Sequence, residues 1–163
     1  MARKPGDKNE VSAYDKALTL LVRREHSARE LKSKLERRGF DASESAASVE
    51  RLQSRDFQND VRFGQMLVRS RIAGGYGPRW IIAELKTHGL NEGSARELIE
   101  AAAPDWPELI RRQLRRRYGG KPAANLAERS KRAVFLLRRG FDAATVQSIT
   151  RAEGVDVSAD ELD

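Results

Sequence analysis

A chain of 163 residues that is 39% hydrophobic and 34% charged suits one domain or a short row of small units, and is too apolar for a disordered segment. It has no cysteine, which excludes a disulfide framework and a thiolate metal site. The opening MARKPGDKNE lacks a signal-peptide core and no apolar run approaches the roughly 20 residues of a membrane span, so a cytoplasmic protein is expected. The formal net charge of +7 is unevenly laid: residues 104–140 hold 11 Lys/Arg against 3 Asp/Glu, while residues 141–163 hold 1 against 6. A basic block followed by an acidic tail points to a polyanion or an acidic protein surface as partner.

In chain order, residues 1–11 are expected to be a disordered arm. Ser12 can cap a helix with Tyr14, Ala17, Leu18, Leu21 and Val22 on its apolar stripe, ending near Glu25. Ser27 and Glu30 form a capping box for a second helix with Ala28, Leu31 and Leu35 along one face. Gly39 stops that helix in a left-handed turn, Phe40 folds back on Leu35, and Asp41 or Ser43 starts a third helix carrying Ala46, Val49 and Leu52. The plan then recurs. Phe57, Val61, Gly64 and Val68 form the next stripe, Gly74-Gly75 end it, and Gly77-Pro78 open a helix carrying Ile81 and Leu85. Gly89 stops this helix and Asn91 caps one with Ala95, Leu98 and Ile99. Asp105 and Glu108 then box a helix with a Trp106, Ile110, Leu114 and Tyr118 stripe. The linker Gly119–Pro122 leads to a helix reaching Arg139, and Asp142 starts a last one with Val146 and Ile149.

The six letters RRGFDA stand at 37–42 and again at 138–143, with THGLN between them, so that Gly39, Gly89 and Gly140 are spaced by 50 and 51 residues. A fixed period of this size marks a repeat architecture. The expected fold is all-α: an elongated, solenoid-like array of three tandem three-helix repeats at 12–55, 56–103 and 104–152, followed by an acidic tail at 153–163. Three short helices bury little alone, so neighbouring repeats are expected to share a core.

Enzyme signatures fare poorly. His26 and His88 fall on different repeats with no cysteine partner, so no metal site is expected. Glu84 and Lys86, with Asp56 or Asp60 upstream, spell an E-x-K nuclease pattern, but that chemistry needs a strand and the segment reads as helix. AGGYGP and YGGKPA lack the phosphate-cradling G-x-x-x-x-G-K-[ST] form and read as turns. No cofactor is expected.

Arginine carries the signal. In RRQLRRRYGGK, Arg111 and Arg115 lie one turn apart, as do Arg112 and Arg116, and Arg117 and Lys121 follow. Arg129, Lys131 and Arg132 add cations on the next helix, and Arg23, Arg24, Arg69, Arg71 and Arg79 extend a candidate binding surface. Arg37, Arg38, Arg138 and Arg139 are explained as helix-end cations opposing the macrodipole.

Beyond these readings, the segments Arg23–Phe40 and Asp60–Leu90 resemble the RecX family of bacterial regulators of the recombinase RecA. The match runs through an R-x-x-H-S-x-x-E-L opening (Arg23, His26, Ser27, Glu30, Leu31), a D-x-R-F segment (Asp60, Arg62, Phe63) and a G-x-x-x-I-x-x-E-L helix (Gly77, Ile81, Glu84, Leu85). The resemblance covers most of residues 12–103, and the third repeat fits the family's architecture more than any motif. It implies a non-enzymatic, monomeric modulator that lies in the groove of the RecA–single-stranded DNA filament. Such a modulator inhibits the filament's ATPase, strand-exchange and coprotease activities, bearing on recombination, repair and the SOS response, with weak, salt-sensitive contact to DNA. The chain departs from the family at Gly64, where many relatives carry alanine. The alternative from the residues alone is an autonomous DNA-binding protein of helix-turn-helix type, although no helix shows the clustered Asn, Gln and Arg of base readout.

Overall fold

The computed structural model describes residues 11–153. The expected N-terminal arm and acidic tail lie outside the described residues, apart from Val11 and Glu153 at their edges. Nine helices and no strand occur among the described residues: α1 (Ala13–Arg23), α2 (Ala28–Glu36), α3 (Ala42–Ser54), α4 (Asp60–Ala73), α5 (Pro78–Thr87), α6 (Glu92–Ala102), α7 (Trp106–Tyr118), α8 (Leu126–Arg138) and α9 (Ala143–Ala152).

Local chemistry sets the starts. The side chains of Ser12, Ser27, Asp41, Asn91, Asp105, Asn125 and Asp142 each accept a hydrogen bond from the amide three residues on, at 2.7–3.1 Å. That contact satisfies one of the donors every helix start leaves open. Asn59 does the same for α4, taking the amides of Val61 and Arg62, and Pro78 begins α5 behind Gly77.

The stops repeat with the letters. Gly39, Gly89 and Gly140 have φ of +92°, +89° and +86°. The amides of Phe40, Leu90 and Phe141 donate to the carbonyls of Leu35, Leu85 and Leu136 at 3.2–3.3 Å, while the three glycine amides donate to Glu36, Lys86 and Leu137. This is a Schellman ending at all three sites.

The chain divides into two compact units, Met1–Phe63 and Gly64–Asp163. In the first, α1, α2 and α3 pack on one another around Ala13, Ala17, Leu31, Leu35, Val49 and Leu52, with Phe40 closing the edge. Val22 is 81% exposed, a departure from the expected stripe: it lies on the last turn of α1, beyond the reach of the bundle.

In the second unit the expected stripe of α4 is also corrected. Phe57 precedes the helix and Val61 is exposed, whereas Leu67 and Val68 are buried; the inward face begins at Phe63, which closes the first unit. The helix starts at Asp60, so Phe57 lies before it, and its buried face runs through Phe63, Gly64, Leu67 and Val68, leaving Val61 at the edge. Gly64 matters to this face, since a Cβ there would meet Leu98 Cδ1 at 2.5 Å, so the tip of Leu98 occupies the space a methyl would take. The last helices pack α7 and α8 against α9 around Ile110, Leu114, Leu136, Phe141 and Val146.

The second and third helical triplets meet at the Gly74–Gly77 turn. The Gly77 amide donates to Arg139 O at 2.8 Å and the Arg79 amide to Gly140 O at 3.0 Å, so the start of α5 is bonded to the RRGF turn after α8. A Cβ on Gly77 would fall 2.4 Å from Phe141 N, and one on Gly75 would strike the Gln113 amide. At Gly77 backbone meets backbone, and at Gly75 a positive φ of +84° and the Gln113 side chain leave no room for a Cβ.

Candidate functional surface

The residues around His26 build a buried polar cluster. His26 is 2% exposed; its Nδ1 lies 2.9 Å from Arg24 O and its Nε2 3.1 Å from Lys34 Nζ. A carbonyl only accepts and an ammonium only donates, so the ring is neutral with its proton on Nδ1. Glu30 receives Arg24 and Lys34, Asp60 accepts the Ala28 amide and Gln58 Nε2, and Arg62 bridges Glu25 and Asp56. These side chains fasten the α1–α2 corner to the start of α4.

This cluster sets a pH dependence. Burial lowers the His26 pKa below 6.5, so the unfolded chain takes up that proton first and stability falls as pH drops below about 6.5. Burial alone would raise Glu30, but hydrogen bonds from Arg24 and Lys34 hold it at about 2. Its contribution is complete above about pH 4.5 and is lost as pH falls toward 2. Discounted for the solvent that reaches the cluster, it is about 1–2 kcal/mol. Melting temperature against pH should therefore fall in two stages, and Glu30→Gln should shrink the lower one, to which Glu92 and Glu128, also held low by hydrogen bonds, contribute the rest; a variant that keeps the full loss below pH 4.5 would show that Glu30 is not one of its sources.

The expected binding arginines separate by their partners. Arg24 is engaged with Glu30, and Arg71 makes two hydrogen bonds of 2.6 Å to Glu84. That pair sits on helical backbone, so Glu84 is a partner of arginine and not half of a nuclease motif. Arg132 is buried. It donates to Lys121 O and Glu128 and lies 4.4 Å over the Tyr118 ring, which ties the Gly119–Pro122 linker to α8 and takes this cation out of the surface. Arg129 is half-buried, with a solvent-shielded Nε that has no hydrogen-bond partner. Arg117 covers Phe135 at 4.4 Å. Arg139, read from sequence as a helix-end cation, is the C-cap of α8 and also reaches the Gly74 carbonyl and lies over Tyr76.

On α7, Ile110 and Leu114 are buried, and Arg111, Arg112, Arg115 and Arg116 are exposed. Glu108 pairs with Arg115 at 2.6 Å and with Arg111 at 3.9 Å. Arg112 and Arg116, one turn apart and exposed beside the buried face, form no ion pair among the described residues. Arg23, Arg69, Arg79, Lys121 and Lys131 are also exposed. Sequence reading missed one further feature. Trp80 is 45% exposed and stacks on Tyr76 with ring centroids 5.0 Å apart, at one end of a groove of about 620 Å³ lined by Arg71, Ala83, Glu84 and Thr87. Two aromatic letters four residues apart, Tyr76 and Trp80, could have signalled it.

No group of three or more His, Asp or Glu placed to hold a metal occurs among the described residues, and none of their helices is long and apolar enough to cross a membrane. Three family models match in tandem: "RecX, first three-helix domain" over residues 13–52, the second over 59–102 and the third over 105–150. The chain belongs to the RecX family. "Regulatory protein RecX" of Xanthomonas campestris pv. campestris (strain B100) is 44% identical over 142 residues, covering 87% of this chain and 88% of that relative. The protein of the same name from Stenotrophomonas maltophilia (strain R551-3) is 42% identical over 147 residues, 90% of each chain. The crystal structure of RecX from Lactobacillus salivarius superimposes with a TM-score of 0.67 at 20% identity, over 88% of this chain and 95% of that one. The RecX fold of three tandem three-helix domains is thus shared, and the His26 cluster and the Gly77–Gly140 contact are parts of how this RecX chain builds it.

Proposed function

We propose that this chain is a non-enzymatic, cytoplasmic regulator that binds the RecA–single-stranded DNA filament along its groove. There it inhibits ATPase, strand exchange and coprotease activity. The family supports a regulatory role, and the observation that carries the reading to a filament is the outward pair Arg112 and Arg116 on α7. Two exposed cations one turn apart, without carboxylate partners among the described residues, suit phosphate or an acidic protein surface. Arg23, Arg69, Arg79, Arg111, Arg115, Arg117, Lys121 and Lys131 extend this basic surface, with weak, salt-sensitive DNA contact as a consequence.

The test is competition. RecA's DNA-dependent ATPase is measured with the chain present while free single-stranded DNA is added in excess. A filament-bound monomer resists rescue, because its site includes protein that free DNA lacks. Full recovery of ATPase at a modest excess of DNA would replace this reading with that of a helical DNA-binding protein acting by sequestration.

A further inference from the structure

Trp80 is a large aromatic left nearly half open to solvent, yet its backbone is held by close contact with the turn at Gly140. The Arg79 amide just before it donates to Gly140 O, and Gly140 Cα packs so closely on Trp80 that a Cβ there would lie 2.4 Å from Trp80 N and 2.7 Å from Trp80 Cβ. Tyr76 stacks on the indole with an interplanar angle of 26°, and the Arg139 guanidinium lies 4.8 Å from the centroid of the Tyr76 ring. The ring is therefore presented in a fixed place, and beside it the groove offers an apolar wall at Ala83 and a mixed donor and acceptor edge in the Arg71–Glu84 pair. Arg79, exposed and without an ion pair among the described residues, stands next to it in sequence.

A flat apolar face, a polar edge able both to donate and to accept, and a neighbouring free cation match the three parts of a nucleotide: the face of the base, its hydrogen-bonding edge and its phosphate. The net charge of +7 favours an anionic neighbour, and the open aromatic face beside a polar edge favours a nucleotide over an acidic side chain. From this geometry we infer that Trp80, backed by Tyr76, is a stacking platform for one base of single-stranded DNA. Glu84 and Arg71 face the base edge, and Arg79 faces the adjoining phosphate. This deepens the filament reading and rests on it for where such a strand is met.

The experiment uses the full chain and a fluorescently labelled thymidine oligonucleotide, with affinity followed by anisotropy at several salt concentrations. Trp80→Ala keeps the Cβ against which Gly140 packs, so the fold is not at stake. It should weaken oligonucleotide binding by about ten-fold, the order of one lost base stack. The salt slope should stay unchanged because no phosphate contact is removed. Trp80→Phe, which restores a ring, should recover most of the affinity. Equal affinity of Trp80→Ala and wild type would overturn the inference, as would a Trp80→Phe no better than Trp80→Ala. Weaker binding to RecA filaments with undiminished oligonucleotide affinity would also overturn it and assign the groove to a protein side chain. The filament reading fails separately: if free DNA rescues ATPase fully, the oligonucleotide result still stands or falls on Trp80.

Discussion

Gly140→Ala should destabilise the protein by about 2–4 kcal/mol, while Gly39→Ala, at the same place in an identical hexapeptide, should cost about 1 kcal/mol. Both glycines have positive φ, +86° and +92°, and an alanine in either place meets the penalty of the left-handed region. There the likeness ends. A Cβ on Gly39 has nothing within 4 Å, whereas one on Gly140 would press on the N, Cα and Cβ of Trp80 at 2.4–3.0 Å. That neighbour is backbone at the start of a helix held by two hydrogen bonds, so it has little room to give, and overpacking adds about 1–3 kcal/mol to the conformational term. Urea unfolding of the two variants measures the difference. Equal losses would mean that the α5 start does not hold the third turn as tightly as described.

The second large effect belongs to α7. Replacing Arg112 and Arg116 with alanine should reduce inhibition of RecA's ATPase about ten-fold or more, with the melting temperature nearly unchanged because Ile110 and Leu114 beneath them stay buried. Replacing Arg111 and Arg115 should do less, since Glu108 already satisfies part of their charge and exposed pairs of this kind are worth little to either partner. Affinity for bare DNA should fall in the first variant and its salt slope should flatten by roughly two units, one for each phosphate contact. Inhibition curves for the two doubles, measured side by side, decide the matter. If they coincide, the distinction drawn from Glu108 is wrong, and if neither shifts, the α7 face is not the filament-binding surface.

Much of the architecture could be read from the letters because it is written in short-range chemistry. A serine, aspartate or asparagine that caps an amide three residues away, or a glycine that ends a helix, needs no knowledge of the rest of the chain, so the starts at Ser12, Ser27, Asp41, Asn91, Asp105 and Asp142 and the three glycine stops were legible. Phe57, Val61 and Val22 were misplaced for the complementary reason. Apolar letters at helical spacing say that a face exists, but whether a neighbour covers it depends on where the helix begins and what crosses it. The arginines show the limit most clearly. Arg132 and Arg112 look alike in sequence, yet one lies over Tyr118 with carboxylate and carbonyl partners and the other stands open, because the partners of the first come from Lys121 and Glu128 as well as from the rings around it. Trp80 was overlooked as part of an ordinary helical segment; only the tertiary contact with Gly140 shows that its exposure is held in place.

That contact also bears on how such a chain can change over evolutionary time. Tandem arrays lengthen and shorten by gaining or losing whole copies, which works when every junction is alike. Here the junction between the second and third triplets is a keyed joint: the Gly77 and Arg79 amides fit the carbonyls of one particular turn, and glycines on both sides leave the clearance. A duplicated or excised triplet would have to bring the matching half of the key with it, so RRGFDA at 138–143 is a different structural part from the same letters at 37–42.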